Sequence, residues 1–200
     1  MFWDKAARFY DLFEKVYNAK VYNKLGEEAA KYVEGGDIVL ECACGTGMIS
    51  RTVAGKCKRL TATDFSHEML KCARKKCKKL TNVEFAQADI MHLSYDDGAF
   101  DKVIAGNVIH LLDDPIVALT ELYRVCKIGG KMIILTYVNM QKNGKNGFWV
   151  NKIDKAGANM KRHFTTESYK EFFIEAGYTN AEFNLIEGKM PCAVAVVTKE

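Results

Sequence analysis

Residues Ile38 to Gly47 read Ile-Val-Leu-Glu-Cys-Ala-Cys-Gly-Thr-Gly, an apolar run that ends in an acid and drops straight into a glycine turn. Ile38, Val39 and Leu40 suit a strand buried on both faces, while Gly45 and Gly47 let the backbone turn sharply and approach a ligand with no Cβ in the way. A helix beginning at Thr46 turns its free N–H groups toward the same ligand. The segment reads as a strand feeding a ligand-binding loop.

Two ligand classes use such a loop, and one charge separates them. Gly45-x-Gly47-x-x-Ser50 nearly matches the dinucleotide fingerprint, whose third position is Gly or Ala. Glu41 would add repulsion near a pyrophosphate but suits a ligand that carries an ammonium and a sulfonium. S-adenosylmethionine is favoured over NAD on this ground.

With the acid included, Glu41-x-Ala43-Cys44-Gly45-Thr46-Gly47 resembles motif I of the class I S-adenosylmethionine-dependent methyltransferases, usually Asp/Glu-x-Gly-x-Gly-x-Gly, and in particular their type 11, UbiE-like branch. Ala43 stands where the family most often has its first glycine, so a small residue is kept while positive φ becomes more costly. Downstream, Arg59 to Asp64 reads as a second strand ending in an acid, about twenty residues past the glycine turn, where a ribose diol is commonly bound. Phe65-Ser66-His67-Glu68-Met69-Leu70 resembles the family segment that packs around the adenosine, and Ser66 also reads as a helix N-cap. A third strand, Val83 to Ala86, leads to Ala88-Asp89-Ile90, whose acid in the family accepts from the adenine amino group. A fourth, Phe100 to Gly106, leads to Asn107-Val108-Ile109-His110, resembling the segment that runs along cofactor and reaction site. The resemblance thus implies a cofactor site made of Glu41, Ala43, Cys44, Gly45, Thr46, Gly47, Asp64, Phe65, Met69, Ala88, Asp89, Ile90, Asn107 and Val108.

The elements that must hold these residues alternate. Pro115 to Val125 has helical apolar spacing, Lys127-Ile128-Gly129-Gly130-Lys131 reads as a turn, and Met132 to Leu135 as a buried strand. Phe164-Thr165-Thr166-Glu167-Ser168 starts a helix with a capping-box spacing, Gly177 ends it, and strands follow near Ala181 to Ile186 and Ala193 to Thr198. Such a βα alternation specifies an α/β fold, a doubly wound, mostly parallel sheet covered on both faces, with ligands at the carboxyl ends of the strands. The resemblance implies seven strands in Rossmann-like order 3-2-1-4-5-7-6 with the last antiparallel. One methyltransferase domain is expected over 1–200, an N-terminal helical cap at 1–35 and the core at 36–200.

Composition narrows the rest. A chain of 200 residues at 48% hydrophobic can bury an ample core, and no apolar run reaches the roughly eighteen residues that a membrane span needs. The start lacks a signal peptide's apolar centre, and seven cysteines, an odd number, read as reduced thiols, so a cytoplasmic protein is expected. Cys42 and Cys44 lack further ligands at metal spacing and read as small buried thiols; no metal is expected. A net charge of +4 does not imply a nucleic-acid partner. Lys71, Arg74, Lys75, Lys76, Lys78 and Lys79 read as a solvated helix face.

The acceptor side is less sharply written. Gln141 to His163 is basic and holds Gly144, Gly147 and Gly157 with Phe148 and Trp149, a loop suited to an anionic or aromatic small molecule. Phe2, Trp3, Phe9, Tyr10, Phe13 and Tyr17 recur at helical spacing and form an aromatic stripe, and Phe9-Tyr10-Asp11 resembles the family's cap over cofactor and acceptor. Tyr10, His110, Tyr137 and Trp149 are the candidate acceptor-pocket residues. A sulfonium already makes the methyl carbon electrophilic and the leaving thioether neutral, so the protein must align an acceptor lone pair and exclude water. Where the acceptor carries a proton, His110 is the candidate base. The Asn-Pro-Pro-Tyr motif of amino-methyltransferases is replaced by Gly106-Asn107-Val108-Ile109, which leaves a small-molecule acceptor in front. A phospholipid or quinone-precursor methyltransferase, a noncatalytic S-adenosylmethionine-binding module and an NAD oxidoreductase are the alternatives.

Overall fold

The computed structural model describes residues 3–4, 21–138 and 160–200. Seven strands form one sheet in the order β3-β2-β1-β4-β5-β7-β6. They are β1 (Ile38–Cys42), β2 (Arg59–Asp64), β3 (Val83–Gln87), β4 (Phe100–Gly106), β5 (Cys126–Tyr137), β6 (Glu182–Ile186) and β7 (Cys192–Thr198). β1 pairs in parallel with β2 and β4, β3 with β2, and β5 with β4, while β7 runs antiparallel to both β5 and β6. This is the architecture expected above.

Alternate residues of each central strand serve opposite cores, as period-two side-chain geometry requires. Leu40, Val103, Ala105, Met132 and Ile134 pack against α4 (Pro115–Val125) and α5 (Thr166–Glu175) through Leu119, Leu122, Tyr169 and Phe173. Val39, Leu60, Ile104, Ile133 and Val194 face the other layer, formed by α1 (21–30), α2 (Met48–Val53) and α3 (His67–Lys76), through Leu25, Val53 and Leu70. A sheet covered on both faces accounts for the near-continuous apolar runs of β1 and β4. Each fully buried Leu, Ile or Phe contributes on the order of 1.5–3 kcal/mol of transfer free energy.

Helix ends follow the sequence signals. Ser66 accepts from Met69 N–H at the start of α3, and Asp114 from Ile116 and Val117 N–H at the start of α4. At α5 the Thr165 hydroxyl accepts from Ser168 N–H and Ser168 returns the bond, so a serine completes the capping box. Gly177, at φ 90, closes that helix.

One expected turn is corrected. Lys127 to Lys131 lies inside β5, because Gly129 N–H donates to Lys199 O (2.7 Å) and Lys199 N–H donates back to Gly130 O (2.9 Å). Pairing with the C-terminal residues draws the glycines into the sheet, and the irregularity survives as a register shift between Phe100 and Lys102 and a left-handed Gly129 at φ 76. Most of the expected basic loop 141–163, including Trp149, and most of the aromatic stripe, including Tyr10, lie outside the described residues. No helix of the described residues is long and apolar enough to cross a membrane.

Candidate functional site

The carboxyl ends of β1, β2 and β4 converge on a cleft, at the place where strand order reverses on either side of β1. The loop after β1 builds its floor. Ala43, Gly45 and Gly47 all take positive φ, at 54°, 55° and 82°. Cys44 N–H donates to Thr63 O at 2.8 Å and Gly47 N–H to Cys44 O at 2.9 Å, which folds the loop back on β2. An added Cβ at Gly47 would lie 3.1 Å from Cys77 Sγ and 3.2 Å from Ala73 Cβ, so this glycine lets α3 close against the loop from behind.

Asp64 is organised from both sides. Its carboxylate accepts Gly45 N–H through Oδ2 and Ser66 N–H through Oδ1, each at 2.8 Å. Two lone-pair sites remain for a ligand hydroxyl. Burial raises its pKa, and the two backbone hydrogen bonds oppose the rise.

Glu41 is only 1% exposed and accepts the Ser50 hydroxyl at 2.6 Å. Loss of water pushes its pKa up to about 8, against the Ser50 hydrogen bond and with a further push from the Asp64 charge. Ser50, which breaks the dinucleotide pattern, is therefore the partner of the motif acid. Spacing alone could not show this, although an i, i+9 pair of acid and hydroxyl across a strand–loop–helix turn is a usable signal.

Of the expected cofactor residues, Glu41, Ala43, Cys44, Gly45, Thr46, Asp64, Phe65, Met69, Ala88, Asp89, Ile90, Asn107 and Val108 line the cleft, and Gly47 supports it from behind. Phe65 is 52% exposed, an aromatic face left open at the rim. Asp89 sits in the connection between β3 and β4, which Arg124 pins by donating to Leu93 O (2.8 Å), Tyr95 O (2.7 Å) and Asp97 (2.7 Å). Asn107, at φ 54, presents a buried side-chain oxygen with no hydrogen-bond partner. This unpaired acceptor together with the carboxylates fits a ligand rich in donors and positive charge, as S-adenosylmethionine is.

Further lining residues come from places the motifs did not mark. Trp3 reaches the cleft beside Ser66, and the Ser66 hydroxyl donates to Asp4, tying the N-terminal segment to the cap of α3. Met48, Ile49, Leu111 and Leu112 add apolar wall. Among the described residues lining the cleft, the ionisable oxygen groups are Glu41, Asp64 and Asp89, and there is no Lys, Arg or His.

The acceptor-side candidates are placed differently. His110 lies in the 3-10 turn Ile109–Leu111, is 5% exposed, and does not line the cleft, although Val108 and Leu111 beside it do. Its carbonyl accepts Lys161 N–H and Arg162 N–H, and its Nδ1 has no partner. Burial, aided by His163, lowers its pKa to about 4, so the imidazole is neutral at physiological pH. Tyr137 packs half-buried against the α1–α3 layer, away from the cleft lining.

Comparison with known proteins adds an independent line. The Methyltransferase domain family profile matches residues 40–134. The chain is 34% identical over 142 residues, 68% of its length, to the ubiquinone/menaquinone biosynthesis C-methyltransferase UbiE of Bdellovibrio bacteriovorus, of which the match covers 60%. It is 35% identical over 137 residues to the demethylmenaquinone methyltransferase of Listeria welshimeri, covering 65% of this chain and 58% of that one. The chain thus spans about three fifths of the length of these curated relatives. The solved structure of a SAM-dependent methyltransferase from Aquifex aeolicus has the same fold, with a TM-score of 0.66 at 20% identity over 90% of this chain and 92% of that one.

Proposed function

We propose that the chain is a class I S-adenosylmethionine-dependent methyltransferase, an enzyme that transfers the methyl group of S-adenosylmethionine to a small-molecule acceptor, a reading that the family profile and the curated relatives support. The observation that carries this reading is the cleft itself: a left-handed glycine loop, an Asp64 carboxylate held by two backbone N–H groups, and a lining with carboxylates but no cation. When bound, the cofactor supplies a methyl carbon made electrophilic by its sulfonium. Asp64 accepts from a ribose hydroxyl, Asp89 from the adenine amino group, and Phe65 and Met69 flank the adenosine. Ile90, Val108, Leu111 and Leu112 keep water from the reacting centre and present an apolar wall to the acceptor.

That wall favours an apolar acceptor, and a quinone precursor is the acceptor class we infer from it, in keeping with the names of the relatives. Methylation at a ring carbon of a quinol would begin with loss of a hydroxyl proton, which lets the ring carbon take the methyl group as the carbon–sulfur bond breaks, and would end with loss of that carbon's own proton as the hydroxyl is reprotonated. His110 is the base in this reading; its neutral imidazole has the free Nδ1 for the task, and the acceptor must reach it past Leu111.

The test is calorimetry with S-adenosylmethionine followed by turnover on quinol, phenol and amine acceptors. We expect S-adenosylmethionine to bind the wild type, Asp64→Ala to weaken it by tenfold or more, roughly 1.4 kcal/mol, and quinols to be methylated. His110→Asn should lower kcat and shift its pH profile while leaving cofactor affinity unchanged. Cofactor binding without turnover on any acceptor would identify a noncatalytic module instead.

A further inference from the structure

We infer that Glu41 is a charge sensor that holds a proton in the empty cleft and releases it when a cationic adenosyl ligand binds, so that this carboxyl sets the preference for S-adenosylmethionine over the neutral product S-adenosylhomocysteine. The inference rests on the cofactor assigned above. Four observations carry it. Glu41 lies one residue before the end of the central strand β1, and its carboxyl lines the cleft and is almost fully withdrawn from water. The hydrogen bonds its carboxyl accepts from the hydroxyl and the backbone N–H of Ser50 come from neutral groups. A second buried carboxylate, Asp64, stands close enough to repel it. The cleft lining of the described residues holds no cation to neutralise either.

The groups that face Glu41 from the elements around it point the same way. α2 presents the Ser50 hydroxyl, β2 presents Asp64 with the Thr63 hydroxyl on the Glu41 carbonyl, and α3 presents the Cys77 thiol. Cys42 and Cys44, on β1 and its loop, are buried thiols whose own pKa values are raised, so they stay neutral. β4 faces Glu41 with Ile104 in register. A buried acid in such surroundings is stable only when protonated or when a positive charge is brought to it. The proton balance is simple: one proton leaves Glu41 for solvent as the sulfonium ligand enters, and one returns from solvent when only the neutral thioether remains. Product release is thereby favoured over release of substrate cofactor.

The experiment is titration calorimetry of the intact protein with S-adenosylmethionine and with S-adenosylhomocysteine, each in buffers of different ionisation enthalpy. The pH range, about 5.5 to 6.5, stays a full unit or more below the point where the ligand's own α-amino group titrates. We expect S-adenosylmethionine to release close to one proton and its affinity to rise about tenfold per pH unit. S-adenosylhomocysteine should release markedly less. Glu41→Gln, a neutral isostere of the protonated acid, should fold, abolish proton release and shrink the difference in affinity between the two ligands. Binding of S-adenosylmethionine without proton release, equal release for both ligands, or release that persists in Glu41→Gln overturns the inference and leaves the cofactor assignment standing. Failure of both ligands to bind overturns the methyltransferase reading, and this inference with it.

Discussion

Ala43 occupies a left-handed backbone conformation that glycine adopts far more easily. At φ 54 its Cβ is crowded against the following carbonyl, a strain of about 1–2 kcal/mol. The flanking hydrogen bonds, Cys44 N–H to Thr63 O and Gly45 N–H to Asp64, hold it there. Ala43→Gly should therefore stabilise the empty protein, the relieved strain being partly offset by glycine's extra freedom in the unfolded chain, about 0.5–1 kcal/mol. The net expectation is a rise in Tm of about 1–3 °C, measured by thermal unfolding. A fall would show that Ala43 is not strained. Asn107, also at φ 54, carries less strain, because its side-chain amide tolerates the left-handed region.

Between elements, the decisive contact is that of the glycine loop with α3. Gly45 and Gly47 both need positive φ, but open space surrounds Gly45 while Gly47 faces Ala73 and Cys77 at 3.1–3.2 Å. Replacing each by alanine separates backbone strain from packing. Gly45→Ala should cost about 1 kcal/mol, from strain alone. Gly47→Ala should cost about 2–3 kcal/mol, because α3 must also shift outward. Urea unfolding of the two variants checks the difference; equal losses would mean that α3 does not close tightly on the loop. The N-cap of α3 matters to the site for the same reason, since Ser66 joins Asp64, Met69 and Asp4.

For the molecule as a whole, two buried groups set the pH dependence of stability in opposite directions. Glu41 titrates near 4.5 when unfolded and at about 8 in the folded protein, so the folded state holds the extra proton between those values. Its stabilising contribution is complete below pH 4.5 and is lost as pH rises through 8. His110 falls from 6.5 to about 4, so the folded state holds fewer protons in that window. Its contribution is complete above 6.5 and is lost as pH falls through 4, joined there by Asp101 and Glu121, whose pKa values are lowered by Lys127 and Arg124. Stability of the ligand-free protein should peak between about pH 5 and 6.5 and decline by about 2–4 kcal/mol toward pH 8. Denaturant midpoints across this range measure it. Glu41→Gln should flatten the alkaline side, and a decline that persists in that variant would place its origin elsewhere.

Strand identity, strand order by way of the family resemblance, and the cofactor loop were legible in the chain because their signals are local. Apolar runs of β1 and β4, glycines at the turns, and acids at the ends of β1 and β2 are each written within a few neighbouring residues. The partner of Glu41, the arrival of Trp3 beside Ser66, and the absorption of Gly129 and Gly130 into β5 were not, since each joins segments set against one another only by folding. His110 shows the difference most plainly. Its place after β4 follows from the motif, but whether its imidazole meets solvent, cleft or core depends on how the turn Ile109–Leu111 packs beneath Lys161 and Arg162. Protonation is decided at the same level: an acid or an imidazole carries its ordinary pKa along the chain, and only the water removed by the packed layers moves Glu41 up and His110 down.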